Sequence, residues 1–237
     1  MEVKFAVAKI SKYATRESGD TVELIERPHG GLSLVLVDGQ RSGRSAKKIS
    51  NIVARKAIQL LGEGVRDGAA ARAAHDYLYT YRGGKVSATL NIISVDAVTQ
   101  TLVLSRNNDA PIIVHTPQRG LFLLDEPSES IGTRRNTKPV ITEIPTEVGP
   151  LIIAFTDGLR HAGSWHSSAS GFDPAEATKQ LLVEGVSDPQ EIADRLLQGA
   201  VEMDDGRPRD DVSVVVVSVG NGPGQDGVRR LSGRLPL

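Results

Sequence analysis

The sequence predicts an α+β protein built as two antiparallel sheets packed face to face, with helices on the outside. Three observations carry this. The element order is strands, two helices, many strands, two helices and one strand, so the strict βαβα alternation of a doubly wound parallel sheet is absent. Several strands are near-continuous apolar runs, such as "LSLVLV" and "VSVVVVSV". Aromatic residues make up only 4% of the chain, so Val, Ile, Leu and Ala must build the core.

Residues 3–10 read as a first strand. "TVELIE" (21–26) and "LSLVLV" (32–37) flank the turn "RPHGG" and form a hairpin centred near His29. Asp20 and Asp38 are equidistant from that centre, so pairing places them opposite each other at the open end. From Ser45 to Leu61 the apolar period changes to three and four residues, which predicts an amphipathic helix ended by Gly62 and Gly64. A second helix runs from about Asp67 to the break at Gly83-Gly84. Residues 86–96, 100–107 and 110–116 read as a meander of three strands. The stretch 117–140 is turn-like around one short apolar run, "GLFLL". "PVITEIP" and "PLIIAFT" add two strands joined near "TEVGP". "DPAEATKQLLVEG" and "DPQEIADRLLQGAVEM" open on Asp-Pro, an acidic N-cap followed by a proline at the first helical position. The last strand is 212–219. The expected organisation is one domain over 1–219 and a flexible, Gly/Pro-rich tail over 220–237.

Composition narrows the function. The 237 residues carry a formal net charge of -1, which gives no nucleic-acid or anionic-membrane signature. There is no cysteine, which excludes disulfides, thiolate metal sites and cysteine-phosphate chemistry. No apolar stretch approaches the ~20 residues of a membrane span, and the N-terminus is too charged for a signal peptide, so the expectation is a cytoplasmic protein.

Acids at strand ends are the main chemical signal. Two apolar runs finish at Asp38-Gly39 and Asp157-Gly158, a third begins after Asp210-Asp211, and a fourth begins at Asp20. Antiparallel strands with acids at far and near ends share one edge. Gathered carboxylates repel, and they become tolerable with a hard, oxygen-seeking cation among them. Mg2+ or Mn2+ suits an all-oxygen set, and two such ions can acidify a shared water and hold a phosphoryl oxygen. A single Asp-Gly after a strand is equally a favoured turn dipeptide. The stretch "DGQRSGRSAKKIS" reads either as a phosphate cradle at a helix start or as a tight strand-to-helix turn. Arg16, four residues before Asp20, is a candidate phosphate contact or a solvated charge. The five histidines (His29, His75, His115, His161 and His166) lack metal-ligand spacing, although His161 follows the Asp157 turn.

These residues resemble the metal-dependent PPM (type-2C) protein phosphatases, in their bacterial SpoIIE-like branch, over about residues 8–219. Ser-Gly-Asp at 18–20 is similar to the branch's first acidic motif. "LVDGQRSGRSA" resembles its Asp-Gly-x-Gly-x-Gly-x-x-Ala stretch, "VSATLNIISVD" its Thr-Leu strand and "SIGT" its Leu-Gly element. "VGPLIIAFTDGL" and "RDDVSVVVV" resemble its Thr-Asp-Gly segment and closing strand. Arg41 stands where the family usually has Gly, Pro150 where it has Asp, and "RNNDAPIIV" replaces an Ala-Gly-His-x-Pro-Pro stretch. Gln40 stands where some members have a histidine proposed as general acid. The resemblance implies a four-layer α-β-β-α sandwich and hydrolysis of phosphoserine and phosphothreonine with Mn2+ or Mg2+ by a metal-bridging hydroxide. Asp38 would bridge two ions and the Gly39 carbonyl would bind one. Asp157 and Asp210 would complete the shell of the second ion, with Asp20 close by, through water or a third ion. Asp211 is the neighbour that competes with Asp210 for the role. The implied partners are phosphorylated STAS-domain anti-sigma antagonists or stressosome-type proteins. The competing reading is a non-catalytic module of the same fold that binds a partner, supported by Arg41 and Asn107-Asn108.

Overall fold

The computed structural model describes residues 1–28, 30–165, 171–220 and 228–234. His29, His166 and much of the expected tail lie outside the described residues. Two five-stranded antiparallel sheets form the centre. One runs in the order β1 (Glu2–Ile10), β10 (Val212–Gly220), β9 (Leu151–Phe155), β6 (Ile112–Thr116), β7 (Gly120–Leu124). The other runs β2 (Thr21–Glu26), β3 (Gly31–Gly39), β4 (Ala88–Asp96), β5 (Thr101–Asn107), β8 (Val140–Pro145). Helices α1 (Gly43–Gly62) and α2 (Asp67–Arg82) pack on the second sheet. The short α3 (Asp157–His161) follows β9, and α4 (Pro174–Val183) and α5 (Pro189–Met203) pack on the first sheet. The result is the expected four-layer α-β-β-α sandwich.

The layers explain the apolar runs. Side chains alternate across a strand, and a strand covered on both faces has no solvated side. In β3, Leu34 and Leu36 enter the core between the sheets, whereas Val35 and Val37 pack under α1 and α2. In β10, Val215 and Val217 face the inter-sheet core and Val214 and Val216 face α5. Alanines line the buried sides of α1 and α2 (Ala54, Ala57, Ala70, Ala74), which lets both helices sit close to the sheet without aromatic bulk.

Helix starts follow their chemistry. Asp173 accepts from the amides of Ala175 and Glu176, and Asp188 from those of Gln190 and Glu191, each with Pro at the first turn. Asp188→Ala should cost about 1 kcal/mol, read as a fall of roughly 2–4 °C in the thermal midpoint.

Two expectations need correction. The meander holds for β4 and β5 only, because β6 leaves for the other sheet and pairs with β9 and β7. Asn108 starts the crossing. Its Oδ1 accepts from the Ala110 amide at 3.0 Å and its Nδ2 donates to the Phe155 carbonyl at 3.4 Å, an Asx turn tied to the far sheet. Pro111 then has no amide with which to continue the ladder. The run "GLFLL", read as part of a turn-like stretch, is strand β7. β8 and β9 are joined by a 3-10 turn at Thr146–Val148 yet lie in opposite sheets. Among the described residues no helix is long and apolar enough to cross a membrane.

Candidate functional site: an acidic cavity at one end of the sandwich

Thr21 pairs with Val37, so the hairpin register brings Asp20 and Asp38 together at its open end, as the equidistance argument requires. Phe155 ends β9 opposite Val214 of β10, which places Asp157 and the Asp210-Asp211 pair at that same end. Asp157 is the first residue of α3, and Thr156 is its N-cap. Asp38, Asp157 and Asp210 line a cavity of about 470 Å³ together with Gly39, Lys12 and Arg41. Asp20 lies fully buried behind it.

Both Asp-Gly glycines permit close approach rather than a turn. Gly39 is still in β3, and a Cβ there would collide with the Ala46 carbonyl of α1. A Cβ at Gly158 would collide with the Asp211 carbonyl. The glycines let the acid-bearing ends of three elements come together.

Asp20 is held from two sides. Its Oδ2 accepts from Ser213 Oγ at 2.6 Å and Thr156 Oγ1 at 3.0 Å. Its Oδ1 is buried without a hydrogen-bond partner. Its backbone carbonyl accepts from Lys9 Nζ at 2.5 Å and Lys47 Nζ at 2.6 Å. Burial, then the neighbouring Lys47 ammonium, lowers Lys9 to about 8.

The acids disturb one another. Burial first, then the charges of Asp20, Asp157 and Asp210, pushes Asp38 up to about 9. Burial raises Asp20 to about 6 against the Ser213 hydroxyl and the Lys9 charge. Burial also raises Asp210, with Asp157 and Asp211 adding to it and the Asp211 amide opposing. Among the described residues no three His, Cys, Asp or Glu side chains are already closed into a metal-holding cluster. An orphaned buried carboxylate oxygen and an Asp38 that resists ionisation are both relieved by a hard cation, so the donor set fits Mg2+ or Mn2+.

The structure separates Asp211 from Asp210. Asp211 Oδ1 accepts from the Lys12 amide at 3.0 Å and its Oδ2 from the Gly19 amide at 2.9 Å. Both oxygens are spent on backbone, and only Asp210 lines the cavity. Arg16 is exposed on the loop between β1 and β2 and is absent from the lining, which instead takes Lys12 from that loop. His161 Nδ1 sits 3.8 Å from Asp157 Oδ2, one turn along α3. Gln40, Arg41 and Ser42, the middle of the ambiguous glycine-spaced stretch, form part of the cavity wall. Arg41 has φ of 79°, a left-handed conformation that favours glycine. Asn107 and Asn108 are buried and hold carbonyls of Glu129, Lys138 and Phe155, so they offer no partner surface. Sequence reasoning missed Lys12, Thr156 and Ser213. Thr156 and Ser213 each lie within three residues of a flagged acid, which is the signal that was there to use.

The family model for Stage II sporulation protein E (SpoIIE) matches residues 28–220. The chain is 22% identical over 217 residues to Stage II sporulation protein E of Bacillus subtilis (strain 168), covering 92% of this chain and 26% of that relative. It therefore spans about a quarter of that relative's length. A solved structure of the PP2C phosphatase domain of SpoIIE from Bacillus subtilis, with a fragment of its regulatory domain, superposes with a TM-score of 0.78 at 21% identity, covering 92% of this chain and 64% of that one. RsbX in complex with magnesium superposes at 0.69 with 15% identity, covering 92% and 96%. The four layers and the matched residues converge on one assignment: the chain belongs to the SpoIIE family.

Proposed function

We propose that this protein is a cytoplasmic Mn2+/Mg2+-dependent phosphatase for phosphoserine and phosphothreonine on proteins. The observation that carries the reading is the convergence of Asp38, Asp157 and Asp210 on one cavity with Asp20 buried behind them. The magnesium bound by the structurally similar RsbX supports the choice of ion. Asp38, the Gly39 carbonyl, Asp157 and Asp210 would hold two ions, with Asp20 close by for a third or for a bound water. When bound, such ions neutralise phosphoryl oxygens and acidify water.

The chain's own residues prepare the rest. The Ser213 and Thr156 hydroxyls fix one oxygen of Asp20 and leave the other for a cation. Lys9 and Lys47 hold the Asp20 backbone in place. Lys12 and Arg41, the cations of the cavity wall, are placed to pair with phosphate oxygens, a role Arg16 lacks the position for. The SpoIIE-like family makes a phosphorylated STAS-domain antagonist of an anti-sigma factor, or a stressosome-type protein, the partner class to test first. That step is by analogy of fold.

The test is hydrolysis of p-nitrophenyl phosphate with Mn2+ and then with EDTA. Turnover that needs the metal and disappears in Asp157→Asn is the expected result. A folded protein with no turnover overturns the reading and favours the non-catalytic module, for which Arg41 in the cavity wall is the remaining support. Phosphopeptides compared with nucleotides and sugar phosphates then separate a protein phosphatase from a small-molecule phosphoesterase.

A further inference from the structure

The Asp210 side of the cavity mouth carries a cluster that the catalytic reading does not use. Trp165 is the chain's single tryptophan and is 60% exposed. The Arg209 guanidinium lies 4.9 Å from its ring centre. Tyr13 is 57% exposed, with the Arg207 guanidinium 5.4 Å from its ring centre. Two large aromatics left in water, each stacked by an arginine, are the residue types that dominate protein interfaces.

The cluster is built rather than incidental. Asp204 is buried, and its carboxylate accepts from the Gly163 amide at 2.8 Å and the Arg209 amide at 2.9 Å. One group thereby fastens the turn leading to Trp165 to the loop carrying Arg207 and Arg209. The Tyr13 amide donates to the Pro208 carbonyl at 2.7 Å and ties in the third segment. Ordering these segments before binding removes part of the entropy cost of association. Tyr13 and Arg209 are sequence neighbours of Lys12 and Asp210, both of which line the cavity, so the cluster flanks its opening. Its charge is local. Among the exposed side chains of the two loops, Arg16, Arg207 and Arg209 stand against Glu17 and Asp205, while Asp20, Asp204 and Asp211 are buried and Asp210 faces the cavity.

We propose that this aromatic–arginine rim is the docking surface for the protein substrate, and that it selects phosphorylated segments flanked by Asp or Glu. The proposal rests on the phosphatase reading for its substrate. A guanidinium stacked on a ring still presents its N–H edge to a carboxylate.

The probes are phosphoserine peptides of one length, flanked by aspartates or by lysines, with p-nitrophenyl phosphate as a substrate too small to reach the rim. The wild-type protein should prefer the acidic peptide about tenfold in kcat/KM, mostly through KM. Arg207→Glu/Arg209→Glu, and separately Trp165→Ala, should erase that preference while p-nitrophenyl phosphate turnover stays unchanged, which also confirms folding. Equal use of the two peptides by the wild type, or a preference that survives the double charge reversal, overturns the proposal. A second readout needs no catalysis. The acidic peptide carrying serine should quench Trp165 emission, less so as salt rises, and the lysine peptide should not. Quenching by both or by neither overturns the rim. If the wild type hydrolyses nothing with Mn2+, the phosphatase reading falls and the fluorescence titration alone decides the rim.

Discussion

Asp38→Asn is expected to reduce Mn2+-dependent turnover by at least about 10²-fold while making the metal-free protein more stable. Both effects come from one cause. Asp38 is pushed up to about 9 by burial and by Asp20, Asp157 and Asp210, so its charge is tolerated only with a cation present. The sign for pH follows. A carboxyl whose folded pKa lies above its unfolded value of 3.8 keeps its proton in the native state after the unfolded chain has lost it. The unfolded state then binds fewer protons, and stability falls as pH rises between the two values. In EDTA the thermal midpoint of the wild type should therefore be highest near pH 4 and decline toward pH 9. The variant should decline less and melt higher at pH 8. Mn2+ or Mg2+ should raise the wild-type midpoint through ligand linkage and the variant's much less. Thermal melts at several pH values, with EDTA or metal, check all three statements. Retained turnover in the variant, or identical slopes with pH, would count against the metal role.

Asp211→Ala should act in the opposite sense. Its carboxylate caps the amides of Lys12 and Gly19 and is buried. Removal leaves two donors without partners at about 1–3 kcal/mol each. A loss of roughly 2–6 kcal/mol should lower the midpoint by about 4–24 °C. Activity should fall with it, because Lys12 lines the cavity and Gly19 precedes Asp20. Asp210→Ala gives up one bond, from the Asp211 amide, against relief of the repulsion from Asp157 and Asp211, so the metal-free midpoint should move much less than in Asp211→Ala while metal-dependent turnover is abolished. Melting curves beside rate measurements on the two variants tell the positions apart. Equal destabilisation by both would refute the division of labour.

Much of the site was legible because its signals are local. Hairpin pairing depends on sequence separation alone, so Asp20 against Asp38 followed from counting residues. Asp-Pro helix starts at Asp173 and Asp188 depend on neighbouring amides, and they too could be read directly. The strand-end position of Asp157 and Asp210 was readable because apolar runs stop where acids begin.

Sequence by itself therefore determined the two-sheet, helix-covered class, the helix starts and the acids worth watching, since each rests on interactions within a few residues along the chain. Tertiary structure alone decided that β6 crosses to the far sheet, that Asp211 caps backbone while Asp210 faces the cavity, and that Lys12 rather than Arg16 stands in its wall. Those outcomes depend on which of two neighbouring groups meets an amide or a cavity supplied by segments up to about two hundred residues away, as in Lys12 with Asp211. Pattern along the chain carries no record of such meetings, because burial and hydrogen-bond satisfaction are settled only when the layers close.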